Sequence, residues 1–177
     1  HVGRSLNLYD CRSLTFLPEG LTVGDKLVLQ GCTRLTFLPE GLTVGGDLCL
    51  TCCTRLTSLP DELHVGGGLD LRGCTDLRTL PEWLTVGGGL RLNGCSSLAS
   101  LPEGLHVGRS LNLYDCRSLT FLPAELHVIR DLKLEGCTSL ISLPEGLHVG
   151  GELSLSRCRL TSLPAGLRVG GDLRLEI

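Results

Sequence analysis

The sequence contains no methionine, one tryptophan, two tyrosines and three phenylalanines, so aromatics make up only 3% of its 177 residues. A core without rings has to be filled by Leu and Val, which suits a narrow layer repeated many times. Apolar runs are only a few residues long, so no segment reads as a membrane-spanning helix or a secretory leader. Charge blocks are missing too: the net charge is -3, with acids and bases interspersed. That excludes the basic stripe expected of a nucleic-acid binder and the charge cluster expected of a membrane-surface protein. There is no Asn-x-Ser/Thr glycosylation acceptor. The missing Met and the start in mid-unit at His1 are expected of a fragment of a longer protein.

What the chain does have is a period. Residues 1–18, HVGRSLNLYDCRSLTFLP, return unchanged at 106–123, a spacing of five 21-residue steps. Pro18, Pro39, Pro60, Pro81, Pro102, Pro123 and Pro144 fall 21 apart, and Pro164 follows after 20. The unit reads V-G-G-x-L-x-L-x-G-C-T-x-L-T-x-L-P-E-G-L-T, with Leu at the same five places in every complete copy. An active site is one cluster of groups in one place, so a stretch used twice points to an array rather than to catalysis, and no enzymatic activity is expected. Residues 1–177 therefore read as one solenoid of about eight repeats, without a linker.

Within each unit, Leu27 and Leu29 alternate with Lys26, Val28 and Gln30, so an extended strand turns the two leucines inward and the other three outward. Val23 leads into a Gly or Gly-Gly turn, where glycine suits a tight bend needing positive φ; Ile129 replaces that Gly once. Pro18 and its equivalents fix an extended or single-turn return segment outside the sheet. Leu14, Leu17, Leu21 and Val23 complete the interior.

Eight of the ten cysteines follow the period, from Cys11 to Cys158. A thiol needed eight times is structural: its short side chain can hydrogen-bond the loop leaving the strand. Strands about 4.8 Å apart hold neighbouring thiols beyond the Cβ spacing of about 3.8 Å that disulfides prefer, so the ladder is expected to stay unbridged, as in a reducing compartment. C-L-T-C-C adds Cys49 and Cys52, which lie across a strand and its exit and complete no four-ligand zinc set. His64, His106, His127 and His148 share a slot with Thr22, Thr43, Thr85 and Arg168, which marks a tolerant surface column; no metal and no cofactor is expected. Glycine runs such as V-G-G-G-L-D-L at residues 65–71 lead into a strand and lack the Lys-Ser/Thr ending of a phosphate loop.

The pattern L-x-L-x-G-C-T-x-L-T-x-L-P resembles the leucine-rich repeats of plant intracellular immune receptors and of bacterial secreted effectors, over essentially the whole chain. The resemblance implies an α/β, mostly β, horseshoe with a concave parallel sheet of about nine short strands and extended or short 3-10 return segments on the convex side. It also implies a ligand-recognition array in a cytoplasm or a host cytosol. Some effectors join such an array to a ubiquitin ligase; nothing here matches that domain.

The framework barely varies, whereas the outward strand positions do. One column reads Asn7, Val28, Cys49, Asp70, Arg91, Asn112, Lys133, Ser154 and Arg174; its neighbour reads Tyr9, Gln30, Thr51, Arg72, Asn93, Tyr114, Glu135, Ser156 and Glu176. Nine strands at about 4.8 Å give a strip roughly 40 Å long, of a size suited to a protein or extended peptide rather than a metabolite. Tyr9, Arg72, Arg91, Asn93, Asn112, Tyr114, Lys133 and Glu135 are the expected contact residues, since Tyr and Arg are common anchors. Trp83, where other units have Gly20 or Gly41, is either a second anchor or a local cover over the next coil, with the cover slightly favoured. Lacking polar caps and ending on Leu173, Leu175 and Ile177, the chain is also expected to associate end to end.

Overall fold

The computed structural model describes residues 1–175; Glu176 and Ile177 lie outside the described residues. The chain winds into a β-solenoid of about eight coils. Leucine columns run down its axis, because no coil can bury its apolar edge except against the next. In the coil that begins at Val44, the buried set is Val44, Leu48, Leu50, Cys53, Leu56, Leu59 and Leu63, and the same seven slots are buried in the neighbouring coils. At the two ends these columns emerge: Leu6, Leu8 and Leu14 are half-buried, and Leu173 and Leu175 are exposed.

The inward leucines Leu27 and Leu29 sit where alternation places them. Strands such as Leu6–Asn7, Leu27–Val28 and Leu48–Cys49 pair in parallel, in sequence order, into one nine-stranded sheet. Each paired strand is two residues long, shorter than the five assumed from spacing, although bonds such as Leu29 N–H to the Cys49 carbonyl, 2.8 Å, continue beyond it. No helix, α or 3-10, occurs among the described residues. The α contribution and the 3-10 returns are therefore replaced by extended segments and isolated turns, in which the proline carbonyl accepts the N–H three residues on, as Pro60 does from Leu63 at 3.2 Å.

A second wall was not anticipated. Thr22–Val23, Thr43–Val44, His64–Val65, Thr85–Val86 and His106–Val107 form a five-stranded parallel sheet, and His127–Val128, His148–Val149 and Arg168–Val169 a three-stranded one. The histidine column lies on these strands, exposed, and His127 stacks on His148 with ring centroids 5.0 Å apart.

The V-G corner joins the two walls, and its glycine is required for a reason other than turn geometry. Gly24, Gly45, Gly66, Gly87, Gly108, Gly150 and Gly170 do not have positive φ. A Cβ at any of them would instead fall far inside contact distance of the backbone carbonyl in the preceding coil. Close approach of two backbones excludes side chains here. Ile129 is the exception, and the second wall breaks at that coil. Its N–H does not make the bond that Gly108 and Gly150 make to the Val86 and Val128 carbonyls, each 2.9 Å. Positive φ belongs to two other slots: the G-C slot, at Gly31, Gly73, Gly94 and Gly136 with Asp10, Cys52, Asp115 and Arg157 held there at φ 56–62°, and the slot two residues after the proline, at Gly20, Gly41, Gly146 and Gly166. Cys52 therefore fills a left-handed turn position ahead of a ladder cysteine.

All ten cysteines are free. In the ladder, each thiol from Cys32 onward reaches back to a carbonyl 24 residues earlier: Cys53 Sγ donates to the Leu29 carbonyl at 3.1 Å, Cys74 to Leu50 at 3.2 Å and Cys116 to Leu92 at 3.1 Å. The same carbonyl accepts the backbone N–H of its own coil's cysteine, as Leu50 does from Cys53 at 3.0 Å, using both lone pairs. Burial holds these thiols neutral, pushing Cys53 and Cys116 up to about 12.

Two predictions follow from this packing. Gly66→Ala sets a Cβ against the Gly45 carbonyl and is expected to cost about 1–3 kcal/mol, seen as a lower urea midpoint. Ile129→Gly is expected to raise the midpoint and to slow amide exchange at residue 129. Unchanged exchange there would mean that the break in the wall has another cause. For the thiols, iodoacetamide at neutral pH is expected to label exposed Cys52 first and to spare Cys32, Cys53, Cys74, Cys95, Cys116 and Cys137 until unfolding. Their folded values lie above the unfolded value of about 8.5. The stability they confer is therefore complete below that value and lost as the pH rises toward about 12 for Cys53 and Cys116. A thermal midpoint that stays flat from pH 8 to 11 would contradict this.

Candidate functional site

The outer face of the nine-stranded sheet carries the varied residues, in register from coil to coil. Asp70 stands beside Arg91, Arg91 beside Asn112, and Asn112 beside Lys133. Several of these side chains are tied to their own backbone. Asn112 Oδ1 accepts the Tyr114 N–H at 3.1 Å and Asp70 Oδ1 that of Arg72 at 3.2 Å, because a short Asx side chain reaches the N–H two residues on. Asn7 and Tyr9 repeat the arrangement at 2.9 Å.

Charge on the face is organised around Asp70. Arg72 Nε donates to Asp70 Oδ1 at 2.9 Å and Nη2 to Oδ2 at 2.7 Å, while Arg91 Nη1 stands 3.8 Å from Oδ2. Burial works against the charge on Asp70, but the hydrogen bonds and charge of Arg72 outweigh it and hold the carboxyl below its usual range. Further along, Arg157 Nη2 donates to the Tyr114 hydroxyl at 2.8 Å, and its guanidinium lies 5.5 Å from the ring centroid. On either side of Tyr114, Asn93 Oδ1 and Glu135 Oε2 are enclosed and have no hydrogen-bond partner among the described residues.

The expected contact residues fall into three groups. Arg91, Asn112 and Lys133 line one open groove of about 640 Å³. Arg72, Asn93, Tyr114 and Glu135 form the adjoining column. Tyr9, 61% exposed, lies five coils away and lines a separate hollow of about 280 Å³ with Gln30 and Cys52. Ser154, placed on the same strip, is only 2% exposed, because a small side chain between neighbouring coils is covered by them. Trp83 leans over Gly104, whose missing Cβ makes room for the ring, yet it remains 78% exposed, so it does not serve as a buried cover.

Sequence reasoning missed the other side of the groove. Its floor is bare backbone at Gly66, Gly67, Gly68, Gly87, Gly88 and Gly89, where two consecutive coils carry three glycines at the corner, and Arg109 and Arg130 stand beyond them. The signal was present in the unit itself, as the slot reading Gly67, Gly88, Arg109, Arg130 down successive coils. Read along the chain, each run is only a failed phosphate loop; read across coils, the two runs make a trough.

Cys49 lies on the face between Val28 and Asp70, its Sγ 3.5 Å from Thr51 Oγ1. No three His, Cys, Asp or Glu side chains gather as metal ligands among the described residues. Comparison with protein-family models gave no match, and neither curated proteins nor solved structures gave one.

The Asp70 pairing sets a sign that can be checked. Its carboxylate adds stability above the unfolded value of about 3.9, which is lost as the pH falls through the lower folded value. In Arg72→Ala burial is left largely uncompensated, so the Asp70 carboxyl is expected to titrate above its ordinary value in an NMR titration. A carboxyl still below that value would transfer the role to Arg91.

Proposed function

We propose that this chain is a recognition scaffold of the leucine-rich-repeat type, binding a protein or an extended peptide on the face of the nine-stranded sheet. One observation carries the reading: the residues repeated in every coil are buried in the columns, and the outward positions of the sheet, whose side chains differ from coil to coil, lie in register on one face. Arg72, Arg91, Tyr114 and Lys133 offer Arg, Tyr and Lys contacts there. The reading is of a binding module rather than an enzyme, in a reducing compartment that keeps ten thiols free. Service as the substrate-recognition part of a larger effector, such as a ubiquitin ligase, is one form of the same role. Exposure of Leu173 and Leu175 favours a second reading for the isolated chain, end-to-end stacking into an array.

Photo-crosslinking tests the face. A benzoylphenylalanine at position 91 or 114 is expected to capture the partner, and one at Ser58 or Ser100 on the return side is not. Arg72→Ala, Arg91→Ala and Tyr114→Ala are each expected to weaken binding by 1 kcal/mol or more, about fivefold at least. Capture from positions 58 and 100 alone, with undiminished affinity in the alanine variants, would move the interface off the sheet.

A further inference from the structure

The trough beside the sheet has two features that the recognition reading does not use. The first is a ladder of side-chain oxygens just before four of the strands. Ser5 Oγ accepts the Lys26 N–H at 3.4 Å, Asp47 Oδ1 the Gly68 N–H at 2.7 Å, Ser110 Oγ the Asp131 N–H at 3.3 Å and Asp131 Oδ1 the Glu152 N–H at 3.0 Å. In each case the oxygen belongs to the coil before. At Gly68 and Gly89 there is no side chain to do this, and at Lys26 none with an acceptor; the N–H groups of Gly89 and Ser110, like that of Asp47, have no acceptor among the described residues. Gly89 and Ser110 both line the trough.

The second feature is charge. Arg109, Arg130 and Lys133 line the same trough, and among the described residues none of them has a carboxylate within ion-pair distance. Three unpaired cations thus line the same trough as two unfilled N–H groups on consecutive coils, about 4.8 Å apart as strands are; with Lys26 and Arg91 they outnumber its carboxylates, Asp47, Asp70 and Asp131. A carboxylate oxygen can take one such N–H group, as each ladder oxygen does. The chain itself supplies the precedent, because Asp47 and Asp131 make that bond in the flanking coils.

We propose that the trough over Gly68 and Gly89 binds an acidic side chain of an extended peptide, whose carboxylate takes an acceptor position left empty in the Ser/Asp ladder, beside Arg109, Arg130 and Lys133. This rests on the recognition reading and adds the chemistry of the partner. The open shape of the trough along the strand ends suits a peptide laid across coils, with further acidic residues reaching Arg91 or Lys133.

The test uses the whole chain and a fluorescein-labelled hexaglutamate peptide, followed by fluorescence anisotropy at low salt. Hexaglutamate is expected to bind, hexaglutamine to bind at least tenfold more weakly, and added salt to release the peptide. Gly89→Asp lets the chain fill the vacancy at the Ser110 N–H and adds a negative charge to the trough. A Cβ there meets nothing closer than 3.2 Å and Asp already occupies the slot at Asp47 and Asp131, so this variant is expected to fold with an undiminished thermal midpoint and to lose binding tenfold or more. Arg109→Ala with Arg130→Ala is expected to do the same without touching the floor. Equal binding of hexaglutamine, full affinity in both variants, or displacement by tripolyphosphate at lower concentration than by unlabelled hexaglutamate would each overturn the proposal. If hexaglutamate fails to bind while Arg72→Ala and Tyr114→Ala still weaken the natural partner, the trough assignment falls and the recognition face stands. The opposite pattern removes the face and keeps the trough.

Discussion

Every feature of this molecule answers to the stacking of one coil on the next at hydrogen-bonding distance. Parallel pairing fixes that step at about 4.8 Å, and a residue 21 positions away becomes a direct neighbour. Side chains between coils must then be leucines that interdigitate, a thiol small enough to lie flat against a carbonyl, or no side chain at all. The V-G corner is the extreme case, with two backbones closer than a Cβ allows. The outward positions of the sheet escape these demands, as do the exposed slots of the return segments and of the second wall. Side chains vary in all of them, and on the sheet they lie in register from coil to coil.

The columns of Leu, the ladder of Cys and the outward alternation were legible because each is periodic and each slot has one physical requirement. The identical segments 1–18 and 106–123 fold alike, so their differences come from neighbours alone: Tyr114, with coils on both sides and Arg157 against its ring, is 38% exposed, against 61% for Tyr9 near the open end. The second wall was illegible. A two-residue strand such as Thr22–Val23 shows no alternation, and a slot that accepts Thr, His or Arg looks like plain surface. Positive φ was assigned to the wrong glycine, because a tight bend and a close approach ask for the same residue.

The trough was harder still to read, since it is built from absences. Gly67, Gly68, Gly88 and Gly89 leave space only because Asp47 on one side and Arg109 and Arg130 on the other keep their side chains. Of the expected contact residues, Arg91, Asn112 and Lys133 proved to border it, while Tyr9 belongs to a different region. Motif reading along the chain treats a glycine run as a phosphate loop or as nothing. Its meaning here comes from what stands 21 residues before and after.

The thiol ladder has a direction. Each S–H points to a carbonyl of the preceding coil, from Cys32 to Leu8 through Cys158 to Leu134. A chain emerging from the ribosome in order therefore never presents a ladder thiol whose acceptor has yet to be made. Each new turn arrives carrying the clasp for the one already laid down, so a growing array can be locked from its first-made end.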